Sequence, residues 1–183
     1  MTWTTPRTWI SSPADLATKA LLDVHVRDNL DHLRTVLPDA RGLSVALYLD
    51  DSQSITNDTL TAISWTAALW EVGADIWAVS PNPSRVTVTE TGKYAVLGTF
   101  NWRSTTTGAR EAYVRVNAGT YYTLASLQAV DESSKATVHG FYRELSLAAS
   151  DYVELYVRQK STVTLGTGES FLSPFFCVWG LPS

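Results

Sequence analysis

The sequence predicts a mainly β protein, an antiparallel jelly-roll sandwich preceded by an extended arm and a long α-helix. Three observations predict it. Arg85–Trp102 alternates with a period of two: Val86, Val88, Tyr94, Val96, Gly98, Phe100 and Trp102 share one parity, as strands with one buried and one wet face do. Arg85, Thr87, Thr89, Lys93, Ala95, Thr99 and Asn101 share the other, with Leu97 the one large exception. Second, from Ser52 to Pro182 runs of this kind recur between breaks of Gly, Pro, Asn, Asp or Ser, the pattern of a sandwich or jelly roll. Third, Ser12–Leu37 repeats its apolar residues every three to four positions instead, which is the helical period.

Met1–Ser12 reads as an arm, with Trp3, Pro6, Arg7 and Trp9 among threonines. Two tryptophans left in water forfeit a large burial, ~150–250 Å² each, so they either tuck onto the chain's own helix or anchor in a partner. Ser12-Pro13-Ala14-Asp15 starts the helix: Ser12 caps, Pro13 suits the first turn, and Asp15 closes a capping box. Leu22, Val26, Leu30, Leu33 and Leu37 form its stripe, and Pro38 stops it. The segment 13–42 is therefore helix plus linker, with a stripe that needs a partner, either its own copies or the body of an assembly. His25, Asp28 and His32 share a helix face. They are read as a solvated or polar layer rather than a metal site, which would need three copies around an axis.

Residues 43–183 are the expected β domain. Leu43–Leu49 is a first strand or a resumed helix, and Asp50-Asp51 is a solvated loop pair more readily than a cation site. Expected strands are Gln53–Ile55, Thr61–Thr66, Arg85–Thr89, Lys93–Trp102, Glu111–Asn117, Thr120–Leu127, Ser134–Leu147, Tyr152–Lys160 and Ser170–Trp179. Val138–Leu147 carries rings on both parities, and Tyr152 and Tyr156 lie opposite the aliphatic face of their strand. Aromatic residues on a supposedly wet face mark an interface.

Composition narrows the function classes. Charged residues are 17% of the 183, against seven Trp and eight Tyr, so much of the surface is apolar or Thr-rich and suited to burial against other subunits. Net charge is −4 with no basic tract, which argues against nucleic-acid binding. No run approaches the ~18 apolar residues of a membrane span, and the first residues lack the pattern of a signal peptide, so synthesis and assembly in a cytoplasm are expected. Cys177 is the sole cysteine, inside PFFCVWG, where a buried inert thiol is the default. No nucleophile, zinc or phosphate-loop motif occurs. Asp131-Glu132, Glu144, Asp151 and Glu154 are the scattered acids a hydrolase would have to pair. No cofactor is expected.

Two stretches resemble known families. Thr2-Trp3-Thr4-Thr5-Pro6-Arg7-Thr8-Trp9 and Leu21-Leu22-Asp23-Val24-His25-Val26-Arg27-Asp28-Asn29-Leu30 resemble the N-terminal segment of small structural proteins from tailed phages of actinobacteria. Thr91-Gly92-Lys93-Tyr94, Ser150-Asp151-Tyr152-Val153-Glu154-Leu155 and Ser170-Phe171 are similar to motifs of the jelly roll shared by tumour necrosis factor and the complement globular heads, with Ser150 where glycine is usual. The second resemblance implies a homotrimer, with Phe141, Tyr142, Tyr152, Tyr156, Phe175 and Phe176 as candidate contacts around the axis. Together they imply a non-enzymatic virion protein, on capsid or tail, held to other virion proteins by Trp3, Pro6, Arg7, Trp9, Leu22, Val26, Leu30 and Leu33. The alternative is a tip that binds a receptor or host surface glycan, with Trp65, Trp70 and Trp77 in or beside loops.

Overall fold

Each strand of this domain has one parity of side chains to bury, and two sheets packed face to face bury them together. The computed structural model describes residues 43–73, 76–129, 137–167 and 174–181, all within the compact unit Gly42–Ser183. The expected arm 1–12 and helix and linker 13–42 lie outside the described residues.

One sheet has five strands. β1 (Ser44–Tyr48) lies between β4 (Ala67–Val72) and β12 (Phe175–Gly180), followed by β6 (Gly92–Trp102) and β9 (Thr137–Leu147). All neighbours are antiparallel, and β6 pairs with β9 along its whole length, from Gly92 opposite Leu147 to Trp102 opposite Thr137. The second sheet runs β3 (Thr61–Ala62), β10 (Tyr152–Gln159), β7 (Ala109–Val116) and β8 (Tyr121–Gln128), with β5 (Arg85–Thr87) also paired to β10. A short pair, β2 (Ser54–Ile55) with β11 (Leu165–Gly166), completes the described strands. Leu43–Leu49 is thus a strand, not resumed helix. β5 and β6 fall in different sheets, so the chain at Thr91-Gly92 crosses between layers; Tyr94 Oη donates to the Glu90 carbonyl across this bend (2.8 Å).

The core lies between the sheets. Every residue of the parity Val86, Val88, Tyr94, Val96, Gly98, Phe100, Trp102 is buried, as alternation requires. Val153, Leu155 and Val157 of β10 and Ala112 and Val114 of β7 close the opposite side. Trp65 stacks on Phe176 with ring centroids 5.7 Å apart and planes 6° from parallel. Phe141 packs 6.4 Å from Phe176, and Phe100 meets Trp102 edge-on at 4.9 Å. Offset stacked and edge-on pairs suit the ring quadrupole and add to the burial. Trp65 lies in the loop between β3 and β4, as expected, but its ring is part of the core.

β4 did not show in the sequence pattern. Its AALWEV has no clean alternation because it is an edge strand, with a register shift opposite Ala46/Leu47 that puts Leu69 out of step.

Two turns set backbone constraints. Gly108 has φ +78°, and a Cβ there would lie 1.6 Å from the Lys160 carbonyl oxygen. Ser150 has φ +73°, at the position where the resembled family uses glycine. Its N–H donates to the Val88 carbonyl (2.8 Å), while the Asp151 carboxylate accepts from the Ala148 N–H (2.8 Å) and from the Asn117 side chain. These bonds hold a left-handed residue that costs an L side chain ~1–2 kcal/mol. Ser150→Gly is expected to raise stability by ~0.5–1 kcal/mol, read as a higher urea midpoint. Gly108→Ala should lose about 3 kcal/mol in the same measurement. Equal midpoints for wild type and both variants would contradict the turn geometry.

Candidate functional surface

The outer face of the five-stranded sheet is built from the parity the core does not use. The register places Trp70, Ala46, Cys177, Leu97 and Tyr142 in one row across it. The next row is Val72, Ser44, Trp179, Ala95 and Glu144, and the one on the other side is Ala67, Tyr48, Phe175, Thr99 and Gly140. Val138 follows, opposite Asn101. Rings stand at the ends of the first row, with Ala46, Cys177 and Leu97 between them. Tyr142 is 58% exposed, Trp179 48%, Trp70 46%, Val138 42% and Val72 39%, so one face leaves five large apolar side chains in water. Its charges gather at one end, where Lys93 pairs in register with Ser146 and Glu144 Oε1 accepts from Tyr142 Oη (2.7 Å). Cys177, in the middle, is covered, and burial pushes its thiol pKa up, so it is an inert part of the packing.

The outer face of the other sheet is different in kind. Tyr113, Tyr121 and Tyr156 meet edge-on, with centroids 6.2 and 5.1 Å apart. Arg115 lies 5.0 Å over Tyr121 and donates to Tyr156 Oη (3.1 Å), and Arg85 lies 4.3 Å over Tyr152. Glu111 accepts from Arg158 Nε (2.5 Å) and Tyr113 Oη (2.9 Å). Burial works against the Glu111 charge, but these hydrogen bonds outweigh it and hold its pKa below the usual range. Glu154 accepts from Ser84 Oγ (2.8 Å) and Arg85 Nε (3.3 Å). This face meets its own polar demands.

The six candidate contact residues fall in three places. Phe141 and Phe176 point into the sandwich and belong to the domain's own core, because β9 and β12 turn that parity inward; they are corrected from contact residues to core residues. Tyr142 and Phe175 lie on the outer face of the five-stranded sheet, and Tyr152 and Tyr156 on that of the other. The anchoring residues Trp3, Pro6, Arg7, Trp9, Leu22, Val26, Leu30 and Leu33 lie outside the described residues, as do His25, Asp28 and His32. Asp50 and Asp51 are exposed, and no metal-binding cluster occurs among the described residues. Glu144, Asp151 and Glu154 are each held by a separate set of hydrogen bonds. Trp70, Val72 and Trp179 were not singled out as contacts. Leu97 carried the available signal, as the apolar residue that broke the alternation of β6.

A second cluster lies inside, at the seam of the sheets. Arg110 of β7 is fully buried with its guanidinium carbon 5.8 Å from the Trp102 ring, and His139 of β9 lies 6.4 Å from the same ring. Burial first, and the Arg110 charge second, lower the His139 pKa from 6.5 to about 4. The unfolded chain therefore binds a proton more readily than the native one between those values. Stability from this residue is complete above pH ~6.5 and is lost as pH falls toward 4, by on the order of 2–3 kcal/mol. His139→Gln should flatten the fall of the urea midpoint between pH 7 and pH 4. Parallel pH profiles for the two proteins would exclude His139 as its source.

No family model matches the chain, and no curated protein sequence matches it. Solved structures do. Murine APRIL at pH 5.0 superposes with a TM-score of 0.57 at 15% identity, over 76% of this chain and 99% of that one. Murine APRIL at pH 8.0 gives 0.56 at 15% identity, over 76% and 98%. The globular domain of zebrafish complement 1qA protein gives 0.53 at 10% identity, over 76% and 97%. At such identities the likeness concerns the fold, and the described domain is an antiparallel β sandwich with the jelly roll of the tumour necrosis factor and complement C1q type.

Proposed function

We propose that the chain is a non-enzymatic structural protein of a tailed-phage particle. It forms a homotrimer, attaches through its N-terminal arm and helix, and projects the jelly roll from capsid or tail. The observation that carries the assembly is the outer face of the five-stranded sheet, with Trp70, Val72, Val138, Tyr142 and Trp179 exposed together and charge confined to one end. A contiguous apolar patch of this kind on a soluble domain marks a protein contact. Burying ~800 Å² per partner there is the scale of a stable interface. The family resemblance implies that the assembly is threefold. The phage assignment is supported by the resemblance of Met1–Leu33, and the two tryptophans and helix stripe supply an apolar handle for other virion proteins.

The second reading is a tip that binds host glycan, favoured by the exposure of Trp70. Trp65 is unavailable to it in the core, and Trp77 Nε1 is spent on the Pro83 carbonyl (2.9 Å). Glycan-array binding that is lost in Trp70→Ala would favour that reading.

Light scattering of the purified protein should give a mass near three times 20.1 kDa. Trp179→Glu and Tyr142→Glu should yield folded monomers, because each buries a carboxylate in the contact. Tyr156→Glu, on the opposite sheet, should leave the trimer intact. A trimer that survives the first two and fails with the third places the contact on the tyrosine–arginine face. A chain lacking residues 1–37 should fold and no longer join particles; retained incorporation would refute the anchor.

A further inference from the structure

We infer that the buried corner formed by Arg110, Trp102 and His139 binds one small monovalent anion of the halide class. Three strands contribute to it: β7 from one sheet, and β6 and β9 from the other. Arg110 is fully buried, and its guanidinium keeps its charge at any pH the fold survives. Nη1 is spent on the carbonyls of Gly108 (3.3 Å) and Ala109 (3.0 Å). Nε and Nη2 have no partner. Beside them, Trp102 Nε1 and both ring nitrogens of His139 are buried and without partners as well. The ring of Trp102 ties the group together, 5.8 Å from the guanidinium carbon and 6.4 Å from the imidazole.

A buried cation left unpaired costs several kcal/mol, and each buried donor without an acceptor adds to that. Among the described residues no acid pairs with Arg110: Glu111 is held by Arg158, Glu154 by Arg85, Glu144 by Tyr142 and Asp151 by Asn117, while Asp50 and Asp51 lie exposed. What the corner offers is a positive charge and N–H donors from an indole, a guanidinium and a neutral imidazole. Such a set selects an anion. Phe100 packs edge-on against Trp102 at 4.9 Å and closes one side of the corner. A phosphate would bring more acceptor oxygens and charge than these donors meet. A single-atom monovalent anion neutralises Arg110 and accepts from irregularly placed donors, whereas a water accepts but neutralises nothing.

The test uses the full chain, prepared free of halide in gluconate and titrated with chloride or bromide at constant ionic strength. Binding to the native state alone raises the melting temperature with halide concentration, by on the order of 3–6 °C up to about 0.5 M. Arg110→Met should abolish the rise. Trp102→Phe removes one donor while keeping an aromatic ring, and should shift the halide response to about tenfold higher concentration; it carries the test if Arg110→Met does not fold. Crystals in bromide should show anomalous density within ~3.5 Å of Arg110 Nε or Nη2 and Trp102 Nε1. A melting temperature indifferent to halide overturns the proposal, as does a rise unchanged in both variants. Bromide density without any thermal response is an adventitious ion only, and overturns it too.

Discussion

The domain depends on a five-stranded sheet that is apolar on both sides. A sandwich needs one apolar face per sheet, and β10 and β7 meet that rule with Val153, Leu155, Val157, Ala112 and Val114 inward and tyrosines, arginines and glutamates outward. The other sheet does not stop there. Phe176 and Val178 of β12 face the core, while Phe175, Cys177 and Trp179 between them face away. β6 does the same with Leu97, and β9 with Tyr142 and Val138. The second apolar face has no place in the sandwich core, and its exposed rings are what the proposed assembly would cover.

The two outer faces show two ways of ending a protein surface. On the tyrosine–arginine side every long cation has a ring or an oxygen beside it: Arg85 over Tyr152, Arg115 on Tyr121 and Tyr156, Arg158 on Glu111 and Tyr113. Such contacts are modest singly, and they leave little demand for a partner. On the apolar side rings and aliphatic groups dominate, with Tyr142 donating to Glu144 at its charged end. The two outer faces thus differ in kind, one apolar and one laced with tyrosine–arginine contacts.

The core itself breaks the usual rule at one corner. Arg110, His139 and Trp102 put charge and donors where the rest of the interior has rings and aliphatic groups. Gln159 and Ser161 are also buried, but they answer one another: Ser161 N–H and Oγ both donate to Gln159 Oε1 (2.7 and 2.6 Å), and Gln159 Nε2 reaches the Ile55 and Val163 carbonyls. A satisfied network rigidifies, whereas an open one is a cost that something else must offset.

The chain alone determined which residues alternate. Period-two spacing along Arg85–Trp102 and Val153–Val157 named the buried parity correctly, because a pleated strand sends successive side chains to opposite sides whatever its neighbours are. The break at Ser150-Asp151 was legible as well, but the left-handed backbone of Ser150 was not, because a serine carries no such signal and only the resemblance to a family with glycine there pointed to it. Strand pairing was not. That β5 and β6 part into different sheets, that Ala67–Val72 forms an edge strand beside β1, and that Tyr142 and Tyr156 face opposite ways depends on contacts between distant segments. Parity says that a residue leaves the core, but only the packed sheets decide whether it meets an arginine, a neighbour's ring or open water. The same holds for Arg110 and His139, ordinary polar residues in their own strands, which became a buried pair when the two sheets closed over them.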